Sequence, residues 1–355
     1  ISSAAKAEFL NRAGQCFGQS ALMLSGGGGL VYFHHGVVQS LLDHDLLPNI
    51  VSGASAGSWI CAQLGTRSDA ELKDAYFLNK TYQLRTDLGP MAELSVLMGL
   101  NKNYSATQFL EECLDQFTDD LTFAEAFEKT GRQINISIAP AEQNQNSRLM
   151  NAITSPDVYI RSAVHASSSV PGVVPAVSLY AKGADGKPYP YQPSRKWVDG
   201  SFADDLPAKK LARLYGVNHY IVSLINPAAI PWVDDPKLKR NKGWRSVFTS
   251  ASLEAAREVM NSAGKLSKLT NTSALLAPTL LLTDALLNQK YTGDVNIILE
   301  KADYHWRNIL FGYGDGSQVE QLKLAGARST WPRMEIIRNT TKISRKIRDL
   351  VEQLD

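Results

Sequence analysis

A unit of strand, glycine-rich turn and helix occurs twice near the start of the chain, and it limits the possible folds more than any other feature. Residues 21–29 (ALMLSGGGG) and 49–57 (NIVSGASAG) each join a short apolar run to a segment of small residues. Each segment leads into an apolar stretch of helical character, at about 31–42 and 59–64. Continuous apolar strands that alternate with helices are typical of a parallel sheet covered by helices.

The same alternation continues along the chain. Residues 133–139 (QINISIA) and 219–224 (HYIVSL) have the character of buried strands, and helical patterns lie at 106–117, 158–166 and 208–215. The sequence therefore predicts a three-layer α/β/α sandwich with a mainly parallel central sheet and a mostly helical C-terminal extension. Residues 180–194 are expected to form a surface loop. The expected division is a helical lead (1–20), a catalytic domain (21–230) and an extension packed on the core (231–355).

Composition excludes several classes of protein. Lysine and arginine number 37 against 35 acidic residues, a formal net charge of +2, so a strongly basic nucleic-acid binder is excluded. Hydrophobic residues make up 44% of the chain, enough for a sizeable core. The three cysteines form no disulfide framework and favour a reducing compartment. No run approaches the ~20 apolar residues of a membrane span. The oligomeric state is not predicted.

Gly53-Ala54-Ser55-Ala56-Gly57 has the Gly-x-Ser-x-Gly form of a nucleophile elbow. Small residues at Gly53 and Gly57 permit a sharp turn from strand to helix, which exposes the serine hydroxyl above the sheet. The N-terminus of the following helix favours the negative charge of an acyl-transfer intermediate. Ser55 is therefore the candidate nucleophile. The alternative is a small-residue turn with no chemical role.

The glycine run that ends at Gly29 presents consecutive backbone N–H groups. Such groups suit either a phosphate or a developing oxyanion. A phosphate loop requires Gly-Lys-Ser or Gly-Lys-Thr after the glycines, whereas Leu30-Val31-Tyr32 follows here. The amides of Gly27, Gly28 and Gly29 are therefore predicted to form an oxyanion hole for Ser55. A turn that only permits close packing of helix and strand is the alternative.

A serine nucleophile needs a base, and the best candidate is Asp199. It ends the short run Lys196-Trp197-Val198-Asp199-Gly200, and a partly desolvated carboxylate can take a proton directly from a serine. None of the six histidines has the late-loop context of a catalytic histidine. A triad of Ser55 with Asp294 and His305 remains an alternative.

Three ordered motifs resemble those of the patatin-like phospholipase family. They are Gly26-Gly27-Gly28, the segment around Ser55, and Asp199-Gly200, and residues 166–172 (ASSSVPG) add to them. The resemblance extends over residues 21–227. Residues 34–37, 47–58 and 195–201 are most similar to the branch that contains the triacylglycerol lipases of fungal and plant lipid droplets.

The resemblance implies hydrolysis of fatty-acyl esters of glycerolipids by a Ser55–Asp199 dyad, without a metal or other cofactor. It also implies a cytoplasmic enzyme, peripherally associated with a membrane or lipid-droplet surface, with a glycerolipid substrate and no nucleic-acid partner. Three positions depart from the family pattern: Leu30 replaces a usual Arg or Lys, Ser201 a usual Gly, and Asp205 a common Asn. No histidine begins the His-x-x-x-x-Asp motif linked to acyltransfer in this branch.

A basic and aromatic stretch beyond residue 231 is a candidate membrane contact, because cations attract anionic head groups and tryptophan favours the interface. Its residues are Lys237, Lys239, Arg240, Lys242, Trp244 and Arg245. An ordinary solvated loop is the alternative for this stretch. For the whole chain, a non-enzymatic lipid-binding protein on the same fold is the alternative to an enzyme.

Overall fold

The computed structural model describes residues 2–73, 105–142, 145–171, 173–226, 293–300, 303 and 316–353. The basic stretch from Lys237 to Arg245 lies outside these residues, and so does His305. The membrane contact and the histidine of the alternative triad therefore stay predictions.

The strands of the described residues are β1 (Gln19–Leu24), β2 (Ile50–Gly53), β3 (Gln133–Pro140), β4 (Arg148–Met150), β5 (Leu179–Lys182), β6 (Pro188–Tyr191), β7 (Trp197–Asp199), β8 (Val217–Leu224) and β9 (Val295–Ile298). Seven of them form one mainly parallel sheet, in the order β4-β3-β2-β1-β8-β9 with β7 also paired to β3. Strands β1, β2, β3, β8 and β9 run parallel, whereas β4 and β7 are antiparallel to β3. The other two strands, β5 and β6, pair with each other.

Helices cover both faces of this sheet. Side chains of β1 alternate between two hydrophobic clusters, with Leu22 and Leu24 in one and Ala21 and Met23 in the other. This alternation confirms the predicted three-layer sandwich. The helices are α1 (Ser3–Phe17), α2 (Val31–Leu42), α3 (Ala56–Thr66), α4 (Asp69–Glu71), α5 (Ala106–Phe117), α6 (Phe123–Thr130), α7 (Ile160–Ser167), α8 (Ser201–Asp204), α9 (Ala208–Tyr215), α10 (Gly316–Thr330) and α11 (Met334–Glu352).

Helix α2 is buried along nearly its whole length, and α10 packs closely against it. Glycines allow the two helices to cross closely. A Cβ atom on Gly36 would lie 1.9 Å from the carbonyl oxygen of Lys323, and one on Gly326 would lie 2.1 Å from that of Phe33. The C-terminal helices therefore complete the core around the helix that follows the glycine loop.

Two features differ from the sequence predictions or add to them. Residues 180–194, predicted as a loop, contain most of the β5–β6 hairpin, so that prediction is wrong for this segment. Strand β9 lies beyond residue 230 yet pairs with β8 as an edge strand of the central sheet. The domain division at residue 230 stays a prediction. Among the described residues, no helix combines the length and the apolar character that crossing a bilayer requires.

Candidate active site

Ser55 lies in a strained turn between β2 and α3. Its backbone has φ 49° and ψ −118°, and a positive φ is uncommon for a residue other than glycine. The turn tolerates only glycine on either side: a Cβ atom on Gly53 would lie 2.3 Å from the backbone of Gly57, and one on Gly57 would lie 2.3 Å from the carbonyl oxygen of Leu24. The half-buried serine has the backbone geometry of a nucleophile elbow.

Asp199 ends β7, the strand that runs antiparallel to β3. Its neighbour Gly200 lets the chain approach β3 closely, since a Cβ atom there would lie 2.4 Å from the backbone of Ser137. The carboxyl group is 1% exposed, and its Oδ1 accepts a 2.8 Å hydrogen bond from the amide of Ser201. Its Oδ2 receives no hydrogen bond from the described residues. One oxygen of the carboxylate is therefore held in place while the other remains available.

The environment of Asp199 brings the ionisation of its carboxyl closer to neutral pH. Burial raises the pKa of its carboxyl from 3.8 to about 6, because removal from water disfavours the charged form. The amide of Ser201 and the nearby hydroxyl of Ser55 moderate this rise, since both favour the carboxylate. The hydroxyl of Ser55 lies near enough to act on this carboxyl, so the structure brings together the two side chains that the sequence singled out.

Three consecutive serines connect the elbow to Asp199. Ser167, at the end of α7, accepts a 2.9 Å hydrogen bond from the amide of Ser55 and donates one of 2.8 Å to the carbonyl oxygen of Ser137. Ser168 Oγ accepts from the indole of Trp59 in α3. The carbonyl oxygen of Ser169 accepts from the amide of Asp199 at 3.0 Å. Residues 167–169 thus bond to both halves of the candidate dyad, a role that the sequence motif alone did not reveal.

The glycine loop lies directly beside the elbow. A Cβ atom on Gly26 would lie 3.2 Å from Cβ of Ser55 and 2.9 Å from Cβ of Ser201. Gly28, with φ 56°, begins a single 3₁₀ turn that leads into α2. No described residue accepts a hydrogen bond from the amide of Gly27 or Gly28. Unpaired backbone donors next to a candidate nucleophile are the elements of an oxyanion hole.

A second buried carboxyl, that of Asp205, lies at the same site. Its Oδ1 accepts a 2.7 Å hydrogen bond from the amide of Gly26. Burial, reinforced by the negative charge of Asp199, raises the pKa of Asp205 from 3.8 to about 8. In the sequence, Asp205 is distinguished only by replacing the Asn that is common in the family, and that difference is the one signal for its place beside the glycine loop.

Asp294, the acid of the alternative triad, lies far from Ser55 along the strand direction. It immediately precedes β9, and its Oδ2 accepts from the amide of Tyr220 early in β8. Ser55 follows the carboxyl end of β2, which runs in the same direction as β8 and β9 through β1. Asp294 thus lies away from the carboxyl ends of the parallel strands, where Ser55 is located, and the structure does not bring it to the candidate nucleophile.

Comparisons with known proteins agree with this architecture. The family model for patatin-like phospholipases matches residues 22–212. The chain is 33% identical to the triacylglycerol lipase SDP1L of Arabidopsis thaliana over 94% of its own length and 42% of that protein. It is 31% identical to a patatin-like phospholipase domain-containing protein of Aspergillus fumigatus, over 99% of this chain and 51% of the other. The chain therefore spans about half the length of these curated relatives.

Among solved structures, VipD from Legionella pneumophila is similar at a TM-score of 0.38 and 14% identity, covering 87% of this chain and 67% of that chain. The assignment rests on the family model and the curated relatives. Because the family model covers more than half of the chain, the protein belongs to the patatin-like phospholipase family, a membership that supports lipolytic acyl hydrolase activity.

Proposed function

We propose that the protein hydrolyses fatty-acyl esters of glycerolipids through an acyl-serine intermediate, with Ser55 as nucleophile and Asp199 as base. One observation carries the proposal. A serine in a strained elbow lies beside a buried carboxyl whose pKa of about 6 leaves it mostly ionised at neutral pH. A histidine is not needed, because the aspartate can take the serine proton itself.

In the first half of the reaction, Ser55 Oγ attacks the ester carbonyl carbon while its proton moves to the Asp199 carboxylate. The negative charge that develops on the carbonyl oxygen is stabilised by the amides of Gly27, Gly28 and Gly29 and by the N-terminus of α3. When the tetrahedral intermediate collapses, the bond to the alcohol breaks and Asp199 returns the proton to the departing oxygen. The acyl group remains on Ser55.

In the second half, water replaces the alcohol. Asp199 takes a proton from the water as its oxygen attacks the acyl carbonyl, and the same backbone donors stabilise the second intermediate. The bond between Ser55 Oγ and the acyl carbon then breaks, and the proton passes from Asp199 to the serine oxygen. A free fatty acid leaves, and both residues regain their starting protonation states.

The substrate is expected to be a neutral acylglycerol rather than an anionic phospholipid. Leu30, fully buried, occupies the position where the family usually has a cation that could attract a phosphate. The name of the Arabidopsis relative, a triacylglycerol lipase, supports the same choice. Such substrates collect at lipid surfaces, so the protein is expected to act while peripherally attached to a membrane or lipid droplet.

A fluorophosphonate probe tests the nucleophile, because it labels activated serines covalently. Wild-type protein should be labelled, Ser55→Ala should not, and Asp199→Asn should react at least ~100-fold more slowly. Ser40→Ala is the matched control, since Ser40 is a buried serine whose hydroxyl donates to the carbonyl oxygen of Gly36 within α2. Labelling that persists in Ser55→Ala would refute the assignment. A folded wild-type protein that neither reacts nor hydrolyses lipid would favour the lipid-binding alternative.

Activity on a panel of triacylglycerol, diacylglycerol, phospholipid and lysophospholipid tests the substrate class. We expect the highest kcat/KM on the acylglycerols. His305→Ala should keep wild-type kcat/KM, whereas the alternative triad requires this histidine as its base. A preference for phospholipid would overturn the inference drawn from Leu30 and leave the dyad in place.

A further inference from the structure

The peptide group that joins Ser25 to Gly26 forms hydrogen bonds to buried side chains through both its C=O and its N–H. Its carbonyl oxygen lies 2.9 Å from His34 Nε2, and its N–H donates to Asp205 Oδ1 at 2.7 Å. We propose that His34 and Asp205 are positioning residues, which together fix the plane of this peptide and thereby aim the backbone donors of the glycine loop at the reacting carbonyl. This inference rests on the proposed function for the catalytic role of those donors.

The chemistry of its neighbours defines the tautomer of His34. The imidazole is fully buried in α2, and burial lowers its pKa to about 4, so the ring is neutral and carries one N–H. The carbonyl oxygen of Ser25 can only accept, so Nε2 must carry that proton. Nδ1 then accepts from the hydroxyl of Ser223 at 2.7 Å. Both ring nitrogens therefore have hydrogen-bond partners, and the ring cannot rotate without losing a hydrogen bond.

Asp205 holds the opposite side of the same peptide. It follows α8 directly, is 0% exposed, and also bonds to the side chain of Asn226, which follows β8. The hydrogen bonds of Ser25 add to the arrangement: its hydroxyl accepts from the amide of Ile225 at 2.9 Å and donates to the carbonyl oxygen of Gly26 at 3.1 Å. The entry to the glycine loop is thus attached to α2, to the segment after α8, and to the end of β8.

A glycine segment has many accessible conformations, so its donors point at one place only if neighbouring groups hold it there. Rotation of the Ser25–Gly26 peptide would change the direction of the Gly27 and Gly28 amides that follow. A displacement of about 1 Å in a catalytic group can lower the rate by ~100-fold. The hydrogen bonds from His34 and Asp205 to one peptide group are proposed to hold the run of four glycines in a single conformation.

Ionisation of Asp205 is also expected to change the reaction rate with pH. Among the described residues, the charges of Asp199 in β7 and of the adjacent Asp204 act on Asp205, and Asp204 pairs with Lys210 of α9 at 2.9 Å. With a pKa of about 8 beside one of about 6, Asp205 keeps its proton while Asp199 ionises. Above pH 8 a second negative charge appears next to the loop and opposes the oxyanion. The rate should therefore fall again on the alkaline side.

Paired substitutions separate positioning from simple packing. His34→Phe keeps the ring and removes both hydrogen bonds, whereas His34→Gln returns a donor near the position of Nε2. Asp205→Ala removes the acceptor, whereas Asp205→Asn keeps an oxygen for the Gly26 amide and removes the charge. Thr330→Val is the control for loss of a buried hydrogen bond, because its hydroxyl bonds within α10 to Gly326.

Three measurements decide the outcome. His34→Phe and Asp205→Ala should lower kcat by ~100-fold with little change in KM, and the Gln and Asn variants should recover at least tenfold of that loss. Amide hydrogen exchange of residues 25–30 should quicken in the first pair and not in Thr330→Val. In Asp205→Asn the alkaline decline of kcat/KM should disappear, while the acid limb near pH 6 stays.

Several results would overturn the inference. Unchanged exchange in residues 25–30 of His34→Phe and Asp205→Ala would show that the two side chains do not hold the loop. A loss of kcat in Thr330→Val equal to theirs would attribute the effect to stability alone. If kcat/KM of Asp205→Asn still declines at alkaline pH, ionisation of Asp205 is not the cause of that decline. If wild-type protein hydrolyses no lipid but its exchange responds as expected, the proposed function fails and the anchoring of the loop stands.

Discussion

Replacement of Asp199 by asparagine should abolish activity and at the same time stabilise the fold. The amide has nearly the shape of the carboxylate, and its oxygen can still accept from the amide of Ser201. Burial raises the pKa of Asp199 from 3.8 to about 6, a difference of about two units, and each unit is worth ~1.4 kcal/mol. The ionised carboxylate therefore costs the folded protein about 3 kcal/mol, which Asp199→Asn avoids.

The sign of the pH dependence follows from the direction of the shift. Because the pKa of the folded state lies above that of the unfolded state, wild-type stability declines as pH rises from 3.8 to about 6 and the decline is complete above that value. The free energy of unfolding of Asp199→Asn should thus match wild type near pH 4 and exceed it by about 3 kcal/mol near pH 7.

Urea unfolding of both proteins at pH 4 and pH 7 measures this difference. Asp204→Asn is the control, because Asp204 is partly exposed and forms an ion pair with Lys210. That substitution should give no gain at either pH. If Asp199→Asn is no more stable than wild type at pH 7, the carboxyl group is not desolvated in the folded protein, and the reason given for its activity as a base is wrong.

Further predictions concern the elbow around Ser55, the three serines at 167–169, and Asp294 before β9. Gly57→Ala should destabilise the protein by roughly 3 kcal/mol in thermal unfolding and abolish probe labelling, because its Cβ would lie 2.3 Å from the carbonyl oxygen of Leu24. Gly131→Ala, at φ +68° in open space, should cost only ~1 kcal/mol and leave activity unchanged. Ser167→Ala should lower kcat by ~10-fold in steady-state assays, because the buried amide of Ser55 loses its acceptor. Asp294→Asn should keep wild-type kcat/KM, and a large loss would favour the triad.

Much of the fold could be predicted from the sequence because the decisive signals are local. The strand, turn and helix around Ser55 lie within a single short segment, and Gly53 is required there by its contact with the backbone of Gly57. The helix at 31–42 and the helix at 106–117 have the predicted bounds. Apolar runs and turn residues identify such elements without knowledge of the tertiary structure.

The β5–β6 hairpin and the hydrogen bonds of the serines at 167–169 could not be predicted, because both depend on contacts that the local sequence pattern does not specify. Strand β6 contains two prolines, which argue against a strand in a central sheet but are compatible with a two-stranded hairpin. The role of Ser167 depends on the amide of Ser55, far earlier in the chain. Nothing in the run of three serines indicates which hydroxyl bonds to the elbow and which to Trp59.

The two buried carboxyls also show why residue type alone did not define the site. Asp199 and Asp205 have the same side chain and similar burial, yet their environments separate their proton affinities. Because like charges in one apolar site disfavour joint ionisation, the carboxyl that ionises first is the one proposed as base, and the other is held neutral. The amide of Ser201 and the hydroxyl of Ser55 favour ionisation of Asp199, whereas burial, reinforced by the charge of Asp199, keeps Asp205 protonated. The proposed assignment of base and anchor therefore follows from the surroundings of the two carboxyls and not from their residue type.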